Sequence, residues 1–357
     1  MNYLPVSEES LRQAADIIQK GGIVAFPTET VYGLGADAFN PRALAKVFKA
    51  KGRPSFDPLI IHIAAAETLE HVANLSILNK ETRVKLFLLA DNLWPGPLSI
   101  ILPKNDIIPG IATAGLPTAA IRFPGHDAAQ KLISLSTGAI AAPSANPFGS
   151  LSPTKAEHVR DGLGEKVDMI LDGGPSRIGL ESTVLDITDG NFKILRPGGT
   201  PIEAIEKLVG AVQIAGDSEQ GAESRGQVQL STGFASPGLL KSHYAPKTPL
   251  IALDIEEIIK KPCENNSAFL FFDGFSRNMW LESHKFPDLL VEKWIKKPET
   301  ASFKVLSETG QVLEAASRLF EALHELDNRR FLRIYAQFAP LQDLGMAIND
   351  RLKRASV

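Results

Sequence analysis

Cysteine is nearly absent from this chain, where Cys263 stands alone among 357 residues. One thiol cannot build an internal disulfide framework or a cysteine-rich zinc site, and its scarcity suits a reducing compartment. No apolar run reaches the roughly 18 residues a membrane span needs, and the opening "MNYLPVSEESLRQ" lacks the basic, apolar pattern of a signal peptide. The expected location is the cytoplasm, with no membrane association. A basic excess is missing as well. The formal net charge is −3, so tRNA or other nucleic-acid contact is expected to be at most weak or local.

Familiar catalytic signatures are also missing. There is no G-x-x-x-x-G-K-[ST] loop, no G-x-S-x-G elbow and no H-E-x-x-H pair. Gly33 and Gly35 of "YGLGADA" lack the third glycine of a dinucleotide fingerprint. No Cys/His cluster points to a metal held by the protein, and no serine stands beside a His–Asp relay.

What is present is a core-forming composition, 44% hydrophobic and 22% charged, in a chain long enough for two domains. Over residues 1–210 helical and strand patterns alternate. "NPRALAKVFKAK" reads as a helix with Asn40 as cap and Pro41 at its first position. "GIVAF", "PLIIHI", "PLSIIL", "TAAIRF" and "STVLDI" read as buried strands, and "SPTKAEHVRDGL" as a helix capped by Ser152. Two strands are adjacent near the end, which predicts an α/β sheet that is mixed rather than purely parallel. Residues 211–248 are small, polar and glycine-rich, a linker composition. Residues 249–357 form a second, smaller α/β section.

Polar groups recur in loops that follow apolar strands, where α/β proteins place ligand contacts. "AKGRPSFDP" sets Lys51 and Arg53 around Gly52, a pattern suited to oligophosphate but also to a helix C-terminus complemented by basic residues. "AIRFP" buries Arg122 in a strand, so it needs a partner: a substrate carboxylate or an internal Asp or Glu. "APSANPFGSLS" supplies Ser144, Asn146 and Ser152, "GLEST" supplies Ser182, and "LRPGG" supplies Arg196. Cations, hydroxyls and amides suit positioning and charge stabilisation, as in phosphoryl or nucleotidyl transfer.

Taken in order, "FPTETVYGLGADA", "KGRPSFDPLIIHI", "LWPGPLSIIL", "AIRFPGH", "APSAN", "ESTVLDI" and "ILRPGG" resemble the YrdC-like family. "HYAP" and "DLGMAINDRLKRAS" resemble its long, two-domain form. The resemblance implies residues 1–210 as a YrdC-like domain, a twisted mixed sheet flanked by helices. It implies 211–248 as a linker folding back over the active site, and 249–357 as a Rossmann-like α/β domain.

The implied activity joins L-threonine, bicarbonate and ATP, with Mg²⁺, into L-threonylcarbamoyladenylate and pyrophosphate. A downstream threonylcarbamoyltransferase system then modifies the adenosine beside the tRNA anticodon. By motif position, Thr30, His62, Arg122, Ala142 and Ser182 are expected to hold threonine. Lys51 and Arg53 are expected to be catalytic against the ATP phosphates. Asp57, Thr118, Ser144, Asn146, Ser152, Arg196 and Tyr244 are expected to line the nucleotide, with Tyr244 as a lid. No protein metal ligands are implied, because phosphate oxygens and water hold Mg²⁺.

Glu29 and Tyr32 leave a structural bond and a ligand contact equally open. Asp57 stands where the family usually has Asn, and Leu240, Lys241 and Ser242 depart from its usual linker. Two other classes compete with the synthase. A non-catalytic RNA-binding module does not need an amino-acid-sized set such as His62, Arg122 and Ser182. A carbamoyl-phosphate-using transferase would carry zinc-finger and acylphosphatase-like modules, for which this chain has neither the cysteines nor the length.

Overall fold

Helix boundaries follow from local chemistry. In the computed structural model, which describes residues 2–215, 244–262, 266–284, 301–328 and 331–356, β1 (Asn2–Pro5) leads into α1 (Glu8–Gln19). Ser7 caps α1 by accepting from the Ser10 amide. β2 (Val24–Phe26) and β3 (Gly33–Asp37) pair antiparallel, Val24 opposite Gly35. α2 (Pro41–Lys51) opens on Asn40, whose side chain accepts from Arg42 and Ala43, and closes on Gly52 in the left-handed region at φ 64°.

β4 (Ile60–Ile63), α3 (Glu67–Val72), α4 (Lys80–Leu93), β5 (Leu98–Pro103) and β6 (Thr118–Arg122) follow. Then come α5 (Asp127–Leu135), β7 (Ala139–Ala141), α6 (Ala156–Leu163) and β8 (Met169–Asp172). β9 (Thr183–Asp186), β10 (Lys193–Arg196), α7 (Ile202–Val209) and β11 (Gln213–Ile214) complete the series. The sheet is mixed and eleven-stranded, in the order β1-β8-β2-β3-β7-β4-β6-β5-β9-β10-β11. One of its cores packs α1 and α5 on β2, β7 and β8 through Ile18, Phe26, Leu132 and Ile140.

Two differences from the sequence reading stand out. The stretch Gly33–Asp37, which was not among the strands read from the sequence, forms β3. Its small residues are required because a Cβ at Gly35 would lie 2.8 Å from both the Phe26 ring and Ile140. Ser152 does not cap α6, which starts at Ala156 after Lys155. The residues between are engaged in backbone pairing with distant segments instead: the Pro153 carbonyl accepts from the Tyr32 amide and the Thr154 carbonyl from that of Ser176, both at 2.8 Å.

The chain divides into two compact units. The first takes the described residues up to 148, 153–177 and 181–215; the second takes 149–152, 178–180 and those from 244 onward. The second unit contains β12 (Leu250–Leu253), α8 (Ile255–Ile258), β13 (Ser267–Asp273), α9 (Gly274–Ser283), β14 (Ala301–Ser307), α10 (Val312–Asp327), β15 (Arg333–Gln337) and α11 (Gly345–Ala355). Its four strands are all parallel, ordered β12-β15-β13-β14. Phe269, Phe271, Trp280 and Tyr335 form its aromatic core.

Cys263 and residues 216–243, most of the expected linker, lie outside the described residues. No helix among the described residues is long and apolar enough to cross a membrane.

Candidate active site

Strand register gathers the first group of site residues. His62 on β4 lies opposite Arg122 on β6, and Arg122 lies opposite Ser99 on β5. Residues directly opposed on neighbouring strands share a face, so these three side chains form one row across the sheet. All three are buried. The row continues off the sheet, where Ser99 Oγ and Ser182 Oγ share a hydrogen bond of 2.8 Å. Arg196 fixes that end: its Nη2 donates to the Ser182 carbonyl at 2.9 Å and to Ser182 Oγ at 3.3 Å. Gly198 allows this packing, because a Cβ there would lie 2.4 Å from the Glu181 carbonyl oxygen.

Glu29 supplies the partner that Arg122 needs. Nη2 of Arg122 donates to Glu29 Oε1 at 2.6 Å, and Nε donates to the Gly96 carbonyl at 3.2 Å. Burial, the largest influence, pushes the Glu29 carboxyl up, but the charge and hydrogen bond of Arg122 together with the nearby backbone amides of Gly125 and Glu29 outweigh it and hold the group below the ordinary carboxylate value. Thr28 shapes the loop around it. Its hydroxyl donates to the Val31 carbonyl at 2.6 Å, accepts from the Thr30 and Val31 amides, and lies 2.7 Å from Thr30 Oγ1. Tyr32 is structural: its hydroxyl donates to the Gly174 carbonyl at 2.7 Å and accepts from the Gly173 amide.

His62 is held neutral. Burial pushes its pKa down to about 3, with the Arg122 charge adding to the effect, and Nδ1 bonds the Ile60 carbonyl at 3.1 Å. The unfolded imidazole, near 6.5, binds a proton that the folded one refuses. Stability is therefore full above pH 6.5 and falls as pH drops from 6.5 toward 3, by about 1.4 kcal/mol per unit. We expect wild-type protein to lose about 2 kcal/mol more than His62→Gln between pH 6 and 4.5. Urea unfolding at the two pH values measures this, and equal losses would rule out a buried neutral His62.

The second group surrounds the C-terminal end of α2. Lys51 is buried, and its Nζ donates to the carbonyls of Ser144 and Asn146, the latter at 2.5 Å, and to Asn146 Oδ1 at 3.4 Å. Among the described residues no carboxylate forms an ion pair with it. Burial and the Arg53 charge hold its amine well below the usual lysine value, against the pull of Asp57 and Glu181. Arg53 bonds the carbonyls of Asp57 and Pro58 through Nε and Nη2, at 3.0 and 2.7 Å, and its Nη2 meets Asp57 Oδ1 at 2.9 Å. Burial raises the Asp57 pKa despite the charges of Arg53, Lys51 and Arg196. Lys51 thus does more than complement a helix end: its donors go to another loop.

The loop after β7 joins the two groups. Ala142 donates its amide to the Ile60 carbonyl at 2.9 Å, and Ser144 bridges to Gly33. Thr30, Lys51, Arg53, Asp57, His62, Arg122, Ala142, Ser144, Asn146, Ser182 and Arg196 therefore all lie in the first unit, linked by strands or direct bonds. Thr118 starts β6 and Arg122 ends it, so the two stand about 13 Å apart along the strand. Ser152 and Tyr244 belong to the second unit. There the Ser152 carbonyl meets His324 Nε2 at 3.1 Å, and Tyr244 is buried against Phe320 with the Arg351 guanidinium over its ring. Sequence reading assigned no role to Ser99; its signal was a lone hydroxyl within the apolar "PLSIIL".

This chain belongs to the Sua5/YciO/YrdC family, whose model, described as telomere recombination, matches residues 16–198. A second model, described as threonylcarbamoyl-AMP synthase, C-terminal domain, matches residues 201–357. Among individual relatives, the threonylcarbamoyl-AMP synthase of Pyrococcus abyssi (strain GE5 / Orsay) is 39% identical, covering 98% of this chain and 95% of its own length. That of Bacillus subtilis (strain 168) is 36% identical, covering 99% and 94%. The crystal structure of P. abyssi Sua5 complexed with L-threonine superposes with a TM-score of 0.80 at 37% identity, covering 99% of this chain and 96% of that one.

Proposed function

We infer that this chain is a threonylcarbamoyl-AMP synthase, a nucleotidyltransferase that joins L-threonine, bicarbonate and ATP into L-threonylcarbamoyladenylate and releases pyrophosphate and water. The observation that carries this reading is the buried row of His62, Arg122 and Ser99, continued by Ser182, with Lys51 one loop away. The row has the polarity of an amino-acid site, and the lysine is a cation that no carboxylate among the described residues pairs.

In the reaction a carbamate oxygen of carboxylated threonine attacks the α-phosphorus of ATP, and pyrophosphate leaves. Arg122 holds the amino-acid carboxylate, while Thr30, His62, Ala142 and Ser182 shape the pocket around the side chain. Lys51 and Arg53 face the phosphates and favour charge on the departing pyrophosphate. Ser144, Asn146, Thr118 and Arg196 take the nucleotide side. Roles for Ser152 and Tyr244 rest on the family resemblance alone.

Among the described residues no group of three His, Cys, Asp or Glu could hold a metal ion. Asp57 Oδ2, buried and without a hydrogen-bond partner among the described residues, is an oxygen of the kind Mg²⁺ accepts. Mg²⁺ arriving on the triphosphate would fit here, where Asp57 would hold it, and it would supply charge that neutralises phosphate oxygens. The product feeds a tRNA-modifying transferase system. The single cysteine suits a cytoplasmic enzyme, and the parallel sheet of the second unit supports a Rossmann-like reading of that part.

The test is pyrophosphate release from ATP and Mg²⁺ with bicarbonate and single amino acids. Release that depends on both threonine and bicarbonate is expected. Absence of that dependence, with RNA binding retained at physiological salt, would favour a non-catalytic module instead.

A further inference from the structure

The Arg122–Glu29 pair is buried, yet each partner has bonding capacity left. Arg122 uses Nε on Gly96 and Nη2 on Glu29, and among the described residues its Nη1 makes no hydrogen bond. Glu29 is 3% exposed and uses Oε1 on Arg122, while its Oε2 is buried with no donor in hydrogen-bond geometry among the described residues. A carboxylate can accept about four hydrogen bonds, and leaving an oxygen unmet in the interior is costly. Such an atom is explained by a donor that arrives from outside.

The chemistry of that donor follows from the pair itself. An unused guanidinium edge accepts an anion, and an unmet carboxylate oxygen beside it accepts a cation. A free α-amino acid carries both charges on a single carbon. Its carboxylate matches Arg122 and its ammonium matches Glu29, so the bound head group closes a four-charge ring with no net charge. His62 offers no competing anion, and the loop of Thr28 and Thr30 fixes the Glu29 backbone from both sides.

We propose that Glu29 binds the α-ammonium of threonine, so that the buried Glu29–Arg122 pair reads the zwitterion rather than the carboxylate alone. This rests on the synthase reading and adds a residue to it. The pair then selects amino acids, whose nitrogen offers Glu29 a donor both as the ammonium and as the carbamate N–H, over 2-hydroxy acids, whatever the side-chain pocket accepts.

Glu29→Gln is the discriminating variant. It keeps an oxygen for Arg122 and turns an N–H₂ toward the position of the ammonium, replacing an acceptor with a donor. Calorimetric titration with L-threonine, with 2,3-dihydroxybutanoate (threonine with hydroxyl for amine) and with ATP separates the possibilities. We expect the variant to weaken threonine at least about tenfold, the hydroxy acid less than about twofold, and ATP not at all, so that wild-type preference for the amine disappears. Equal weakening of threonine and the hydroxy acid would mean that Glu29 only holds Arg122 in place, and would overturn the proposal. So would unchanged threonine affinity. Should the variant not fold, the wild-type ratio decides: a hydroxy acid bound as tightly as threonine overturns the proposal alone. Wild-type protein that binds no threonine overturns the synthase reading as well.

Discussion

Replacing Lys51 with methionine lowers threonine-dependent pyrophosphate release by about two to three orders of magnitude and leaves threonine affinity unchanged. The size follows from what preorganised charge contributes when it meets developing negative charge in a water-poor site. Lys51 is held by two neutral carbonyls and the Asn146 amide oxygen. Its charge is therefore positioned but not neutralised by a contacting carboxylate, and a phosphate can neutralise it. Arg53 cannot substitute, because its guanidinium already engages Asp57 and two carbonyls. Methionine keeps the length of the stem and removes only the ammonium. Lys51→Arg is not expected to restore activity, since a planar fork does not fit the point between the Ser144 and Asn146 carbonyls. Activity within tenfold of wild type in Lys51→Met would remove Lys51 from the catalytic role.

Arg122→Ala combines a binding loss with a folding loss. It strips the buried Glu29 carboxyl of its counter-charge, which costs about 3–5 kcal/mol of stability. Threonine binding is expected to vanish in calorimetry, while ATP affinity changes less than about threefold. The companion variant Arg122→Ala with Glu29→Gln should recover part of the stability, because the orphaned charge is gone, but none of the threonine binding. If threonine and ATP affinity fall together in the single variant, Arg122 supports the whole pocket rather than one ligand.

How much of this was legible in the sequence depends on distance along the chain. The start of α2, with Asn40 as its cap, was readable because a cap acts within a few residues. The buried Arg122 announced that it needed a counter-charge. Which group supplied it was hidden, because Glu29 lies 93 positions away and meets it only through the fold. Ser99 carried a comparable signal, one polar residue in an apolar strand, but its link to Ser182 depends on β5–β9 pairing, which no local pattern reports. β3 was obscured because its requirement for small residues comes from Phe26 and Ile140 across the sheet, so the segment looks like a turn. Ser152 was misassigned as a cap for a related reason. The rule for Ser before Pro is local, whereas the adjoining backbone is committed to Tyr32 and Ser176.

The row that defines the amino-acid pocket has a bearing on how the protein reaches its native state. Its defining contacts bridge 83 residues between Ser99 and Ser182 and 93 between Glu29 and Arg122, and Lys51 reaches Asn146 across 95. Contacts of such separation each close a loop of roughly half the first unit and so belong to the late stage of its folding. A fragment that stops before Ser182 lacks part of the pocket. Threonine then acts on the folding equilibrium only at its end point, drawing the completed sheet out of the ensemble of partly formed ones by mass action.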